Sequence, residues 1–503
     1  MGKLHSLVLA SVVVAGAVPA CGGGAAPGPR GNISFVNGTR LKAVHYEIDG
    51  APPQFVGWQD TALGVACSFV AVDSPERLVC LPSEYWKPEF AEGTGFFADS
   101  DCRMGVAGSG YPGEARYVLE WPKITDAICA TSTPRLFYVG SLLTDTTSLH
   151  TIDSFTGSCR PANATDAPLS YAALYVYGPE IPIDTLVKGT FRHESGPARI
   201  VPLTIAGSDG SFQGEVTATE QVLGWDNGRG EMVFAPVSLA PDSRWYPVIA
   251  YDTGYMFSND TCTDSAAVGI PCQGVAKEAA APSYEADACG RPTAATYFDL
   301  GGRLSKPVKL FYLGDSNSCV QAPDEWYAVP NVDTFSLGSV IPPTTFVEAV
   351  EARAGVAQVQ VVQAASPGGS AVGPLGFFDS VHGQPCVARP AGDGATRCIP
   401  SARAVTDPVF FSDAACSQPL IDVPPDASCG PRPTLASIDE RVAGAAPQRR
   451  HIYPLGEAFA GMTYTDLGGC TPFVELSASD GWYTIGPEIA PAELALMNLV
   501  RSN

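Results

Sequence analysis

Four short signatures recur three times in the same order along this chain, and that repetition limits the fold more than any other feature. The first is Gly57-Trp58-Gln59-Asp60, then Gly224-Trp225-Asp226-Asn227, then Gly376-Phe377-Phe378-Asp379. The second runs from Phe96-Phe97-Ala98-Asp99 to Cys102, from Met256-Phe257-Ser258-Asn259 to Cys262, and from Phe410-Phe411-Ser412-Asp413 to Cys416. The third is Phe137-Tyr138-Val139-Gly140, then Phe311-Tyr312-Leu313-Gly314, then Ile452-Tyr453-Pro454-Leu455-Gly456. The fourth is Tyr177-Gly178-Pro179-Glu180-Ile181-Pro182, then Leu337-Gly338-Ser339-Val340-Ile341-Pro342, then Ile485-Gly486-Pro487-Glu488-Ile489. Ordered matches at similar offsets mark a triplication. The modules span residues 38–190, 191–350 and 351–503.

Their texture is β. In copy one Leu41, Ala43, Tyr46 and Ile48 interleave with Lys42, His45 and Glu47, a crude alternation with a half-buried strand's period. Gly, Pro, Asp and Ser clusters punctuate such runs. Helical spacing is confined to the C-terminus, where Pro491 to Arg501 predicts one short helix. Each module offers two sets of about four strands, a plausible size for propeller blades. The expectation is an all-β chain forming a six-bladed β-propeller from three two-blade modules, since closure removes exposed edges. The rival is three tandem β-sandwich or β-barrel domains.

The N-terminus reads as an export signal. Lys3 precedes an apolar run from Leu7 to Val18, too short to span a bilayer. Val18, Ala20 and Cys21 match a lipobox, from which Pro19 departs; cleavage by a general signal peptidase after Ala20 would instead release a secreted chain. Residues 1–20 are read as a signal peptide and 21–37 as a Gly-rich tether behind an acylated Cys21. A net charge of −22 argues against a nucleic-acid surface and favours a soluble monomer beyond the anchor.

Fifteen Cys suit an oxidising compartment. Copies one and three carry Cys67/Cys80 and Cys386/Cys398, each second Cys preceding an aliphatic residue and Pro. Copy two has Val233 and Trp245 in their place. Joint loss predicts the bridges Cys67–Cys80 and Cys386–Cys398, because a lone survivor would be a reactive thiol. Cys102, Cys262 and Cys416 are each followed by a further Cys, at 129, 289 and 429. The expected pairs are Cys102–Cys129, Cys262–Cys289 and Cys416–Cys429, with Cys272 and Cys319 able to bridge within copy two. Cys159 and Cys470, the counterparts of Cys319, have no assigned partner.

Asp99 and Asp413, with Asn259 between them in the repeat order, are candidate ligand contacts for a cation or sugar, and equally fit an Asx turn before a bridged Cys. Glu180 and Glu488 are candidate carboxylates, matched by Val340 in copy two. Trp58, Trp225 and Phe377 read as blade core, with a sugar-stacking face as the alternative. Few dispersed His and the lack of a C-x-x-C pair leave no metal site, and no cofactor fingerprint occurs.

The lipobox, the Gly-rich tether and the G-W-x-D, C-[LI]-P and F-F-x-D-x-x-C segments together resemble the uncharacterised Cys-containing repeat lipoproteins of myxobacteria. The resemblance covers nearly the whole mature chain. It implies an outer-membrane anchor, with Gly22 rather than Asp after Cys21, and implies no activity. The functional expectation is an envelope-anchored or extracellular binding or scaffold module for a glycan, peptide or envelope component. The alternative is a secreted propeller-type hydrolase with axial carboxylates drawn from different blades.

Overall fold

The computed structural model describes residues 35–502 apart from loop stretches, the longest being 121–133, 163–172, 282–295, 323–332 and 424–433. Residues 1–34, with the expected signal segment and Cys21, lie outside the described residues, as do Cys129, Cys272, Cys289 and Cys429. The chain is all-β, with no α-helix among the described residues.

Each copy begins with a four-stranded antiparallel meander. In copy one it comprises Leu41–Glu47, Gln54–Asp60, Val65–Ala71 and Leu78–Pro82. Copy two uses Ile200–Gly207, Gln221–Asp226, Glu231–Pro236 and Arg244–Pro247. Copy three uses Val359–Ala365, Ala371–Asp379, Gln384–Pro390 and Thr396–Pro400. The turn after each second strand is built by a buried carboxylate. Asp60 accepts the N–H of Ala62 and Leu63, Asp226 those of Gly228 and Arg229, and Asp379 those of Val381 and His382. Gly64, Gly230 and Gly383 close these turns at positive φ (72°, 63° and 67°), where a side chain would be strained.

The second half of each copy wraps five strands. In copy two, Ala250–Asp252, Ala266–Gly269, Asp333–Ile341, Thr296–Arg303 and Glu278–Ala281 pair in a circuit that returns to its start. Copy one makes the same circuit through Phe90–Phe97, Gly105–Ser109, Ala173–Ile181, Arg135–Leu142 and Tyr117–Glu120. Copy three traces the same order without the last pairing. A two-stranded hairpin projects from each: His150–Ile152 with Cys159–Pro161, Phe311–Leu313 with Cys319–Gln321, and Gly461–Asp466 with Cys470–Leu476.

Six separate blades are therefore not what these pairings trace. One continuous sheet runs from Asn498–Arg501 through the first meander, Lys188–His193 and the second meander to Val347–Glu348. The boundaries expected after residues 190 and 350 fall inside the linking strands Lys188–His193 and Val350–Ala354. Lys188–His193 starts beside the last meander strand of copy one and ends beside the first of copy two; in the second link Val347–Glu348 lies beside the last meander strand of copy two and Val350–Ala354 beside the first of copy three. The C-terminus does the same rather than forming the helix expected there. A short 3-10 turn, Pro491–Glu493, leads to Asn498–Arg501, because Leu494 and Met497 bury against copy three and the strand pairs with copy one.

The three junctions share one register. Leu203 faces His193, Val362 faces Arg353 and Val44 faces Arg501, and each of these partners stands equally far beyond its 3-10 turn at Ile183–Thr185, Pro343–Thr345 or Pro491–Glu493. A repeated junction that returns to its start defines a closed ring of three. The core agrees. Leu78 packs with Leu203 and Ile205, Ile200 and Trp245 with Ala364 and Val372, and Ile48 with Val359 and Met497.

Candidate functional site

The bridges Cys67–Cys80 and Cys386–Cys398 are present, as joint loss in copy two predicts. The other pairing is corrected: Cys102 bonds Cys159, Cys262 bonds Cys319 and Cys416 bonds Cys470. The physical reason is local. Cys102, Cys262 and Cys416 all adopt the left-handed conformation (φ 53°, 50° and 51°). That turn directs each sulfur toward the hairpin beneath it, whose second strand begins with the partner Cys.

Asp99, Asn259 and Asp413 organise the same turn. Asp99 Oδ1 accepts the N–H of Arg103 (2.9 Å) and Met104 (2.7 Å). Asn259 Oδ1 accepts those of Thr263 and Asp264, and Asp413 Oδ1 those of Ser417 and Gln418. The Met104 amide, opposed in part by desolvation, holds the Asp99 carboxyl below its ordinary range; the Ser417 hydroxyl and nearby amides do the same for Asp413. The two candidate ligand contacts are thus engaged within their own loops.

Glu180 and Glu488 are each met by a base of their own copy. Arg135 Nη2 donates to Glu180 at 2.7 Å, and His451 Nδ1 lies 2.6 Å from Glu488. Copy two lacks both partners together, with Val340 and Thr296 at the matching positions. Charges that come and go in pairs behave as surface ion pairs.

The aromatic residues of the first signature do not occupy one position. Trp58 and Phe377 face Cys67 and Cys386 across the meander, but Gly224 faces Val233. Copy two therefore aligns on Asp226 with Asp60 and Asp379, and Trp225 falls one residue later. A one-residue slip moves a side chain to the other face of its strand. Trp225 stacks half-exposed on His193 of the linking strand, centroids 4.2 Å apart, as Phe378 carries the Arg353 guanidinium at 3.6 Å. Only Trp58 is buried core.

Two places break the repeat. The first joins the halves of copy two. Copies one and three fill this joint with Leu81, Leu136 and Leu186, or with Ile399, Ile452 and Leu494. Copy two has Tyr246, Tyr297 and Phe346, with Tyr246 and Tyr297 stacked 4.9 Å apart. Beside them Arg229 donates to Glu231 and to the buried Glu278, and lies 5.4 Å from the Phe346 centroid. Lys277 completes a charge-balanced network, 3.5 Å from Glu231 and bonded to the Arg229 carbonyl. It ties the meander to the wrapped strands, with Glu278 Oε2 buried and without a hydrogen-bond partner among the described residues.

The second break is exposed. The residue three beyond the bridged hairpin Cys is Ala162 in copy one and Ala322 in copy two, both in core clusters. In copy three it is Phe473, 59% exposed. The facing residue, Leu149 or Leu310, becomes a buried Thr463 whose hydroxyl donates to the Val474 carbonyl. Leu174 and Thr334, whose carbonyls accept from Leu143 and Leu304, match Trp482, which accepts from Phe459. Phe473 stacks on Phe410 (5.1 Å, 28°) and Trp482 stands edge-on to Phe410 (4.8 Å, 73°). Trp482 is delivered by a capped turn: Asp480 accepts the Ser477 N–H, and Gly481 turns left-handed at φ 78°. Sequence reading missed this cluster, although aligning the copies on the hairpin Cys exposes the Ala, Ala, Phe change. An exposed Phe473 on two half-buried rings, at a position where the sister copies pack an alanine against their core, is the pattern of a binding surface.

The five bridges are the mark of an oxidising, extracytoplasmic environment, and no helix among the described residues is long and apolar enough to cross a membrane. In comparison with known proteins, no family model, no curated protein and no solved structure matches the chain.

Proposed function

We propose that this chain is an exported, envelope-anchored repeat lipoprotein that acts as a binding module, and that its contact surface is the aromatic face of copy three. The carrying observation is Phe473, exposed and stacked on Phe410 where the sister copies pack an alanine against their core. The rest of the ring serves as a rigid, disulfide-stapled support, which lowers the ordering cost of binding. Anchoring rests on the lipobox at Cys21 and on the glycine tether behind it.

The test has two parts. Mass spectrometry of the mature N-terminus should find an acylated Cys21; an unmodified Cys21 would make the protein freely secreted. A panel of immobilised peptides and glycans should retain the wild type on at least one member. The double variant F473A/W482A should lose that retention while keeping the wild-type melting temperature. Retention unchanged by the double variant would sink the assigned surface.

A further inference from the structure

The ligand's chemistry follows from what surrounds the three rings. Phe410 lies in a segment, 404–431, whose sequence contains no Lys, Arg or His and whose described residues include Asp413 and Asp422. Phe473 and Trp482 lie in a second segment, 452–500, equally devoid of bases and carrying Glu457, Asp466, Glu475, Asp480, Glu488 and Glu493. Glu475 is exposed and stands two residues from Phe473 on the same strand, across a bulge in its pairing with Gly461–Asp466. Glu457 is exposed on the strand paired to that of Trp482. Ring faces carry negative quadrupole, and carboxylates beside them add the same sign, so the platform attracts cations. The whole chain, at −22, would steer a basic partner toward it.

The backbone points to a peptide. Among the described residues, Cys470–Leu476 pairs only with Gly461–Asp466, whose other side meets Phe411. Its outer edge has no strand partner among the described residues, and five of its seven residues are exposed. An extended segment can add to such an edge through main-chain hydrogen bonds, with alternate side chains reaching one face.

Resting on the binding reading above, we propose that copy three captures a basic peptide segment as an added strand along Cys470–Leu476. Lys or Arg stems lie on Phe473 and Trp482, and their charged ends meet Glu475 and Glu457.

The experiment titrates the full mature chain with a fluorescent ten-residue alternating Lys-Thr peptide, its Glu-Thr counterpart and chitohexaose. The Lys-Thr peptide should bind, more weakly as salt rises, and the Glu-Thr peptide should not. F473A should weaken binding about tenfold, and E475Q should weaken it less while flattening the salt dependence. Equal binding of both peptides, or absence of Lys-Thr binding, overturns the proposal. Binding of chitohexaose alone, lost in F473A, overturns the peptide assignment while supporting the binding surface. Lys-Thr binding that F473A and W482A leave unchanged overturns both.

Discussion

A Cβ atom placed on Gly224 would lie 3.2 Å from Cζ3 of Trp245, because the large indole in copy two has moved from the second meander strand to the fourth. In copy one the second strand supplies Trp58 and the fourth supplies Cys80, bridged to Cys67. In copy two the glycine, Val233 and Trp245 fill the same joint. Gly224→Ala should destabilise by about 1–3 kcal/mol through overpacking, and Trp245→Ala by about 3–5 kcal/mol through a cavity. The triple variant G224W/V233C/W245C rebuilds the copy-one arrangement. It should form a bridge visible by mass spectrometry and melt above W245A in denaturant titrations. A triple variant no more stable than W245A would show that the copies are not interchangeable here.

The pairing of the remaining cysteines is directly measurable. Non-reducing peptide maps should contain Cys102 joined to Cys159, Cys262 to Cys319 and Cys416 to Cys470. C262S/C319S should lose about 2–4 kcal/mol, as expected for a bridge that closes a loop of tens of residues. Recovery of a Cys102–Cys129 peptide would contradict the left-handed turn that aims Cys102 at the hairpin.

Asp99 and Asp413 give the fold an acid sensitivity of known sign. Their carboxyls are held below the ordinary range in the folded chain. Their stabilising contribution is therefore complete above the unfolded carboxyl pKa, about 4. It is lost as pH falls through the lower folded value. D99N and D413N should melt near the wild type at pH 7, since Asn259 performs the same task in copy two. They should lose less melting temperature than the wild type between pH 7 and pH 3. D99A and D413A should melt lower at both pH values.

Ending the chain after Met497 removes the strand that pairs with Val44, His45, Tyr46 and Glu47. The loss of those backbone bonds should cost about 2–4 kcal/mol. The uncovered edge of Leu41–Glu47 should promote self-association. Sedimentation of the truncated chain at rising concentration would reveal it; a monomer of wild-type stability would disprove the closed ring.

Much of this was legible because triplication makes the chain its own control. The Cys67–Cys80 and Cys386–Cys398 bridges followed from two cysteines vanishing together. The alignment of copy two failed because Trp225 is conspicuous, whereas the turn is fixed by Asp226 and Gly230, four residues apart in every copy. Recurrence alone does not separate Cys129 from Cys159 as the partner of Cys102, because both positions persist in every copy, while the positive φ at Cys102 is invisible in the sequence. Sets of about four strands suggest blades, yet Lys188–His193 serves two copies at once, and Val347–Glu348 with Val350–Ala354 do the same in turn. The exposure of Phe473 is not legible in the sequence, since an aromatic residue in a β sequence reads as core until its neighbours show that it faces water.

The junction between the C-terminal strand and Leu41–Glu47 has the register of the two internal junctions. None of the three is privileged in the fold, so the starting point of the polypeptide is interchangeable in principle. A circular permutant opened between copies one and two, with Arg501 linked by a flexible segment to Phe35, would rebuild the same ring with the seam moved. It would also carry any N-terminal tether to a different corner of the molecule, turning the aromatic face of copy three by one third of a rotation relative to its point of attachment.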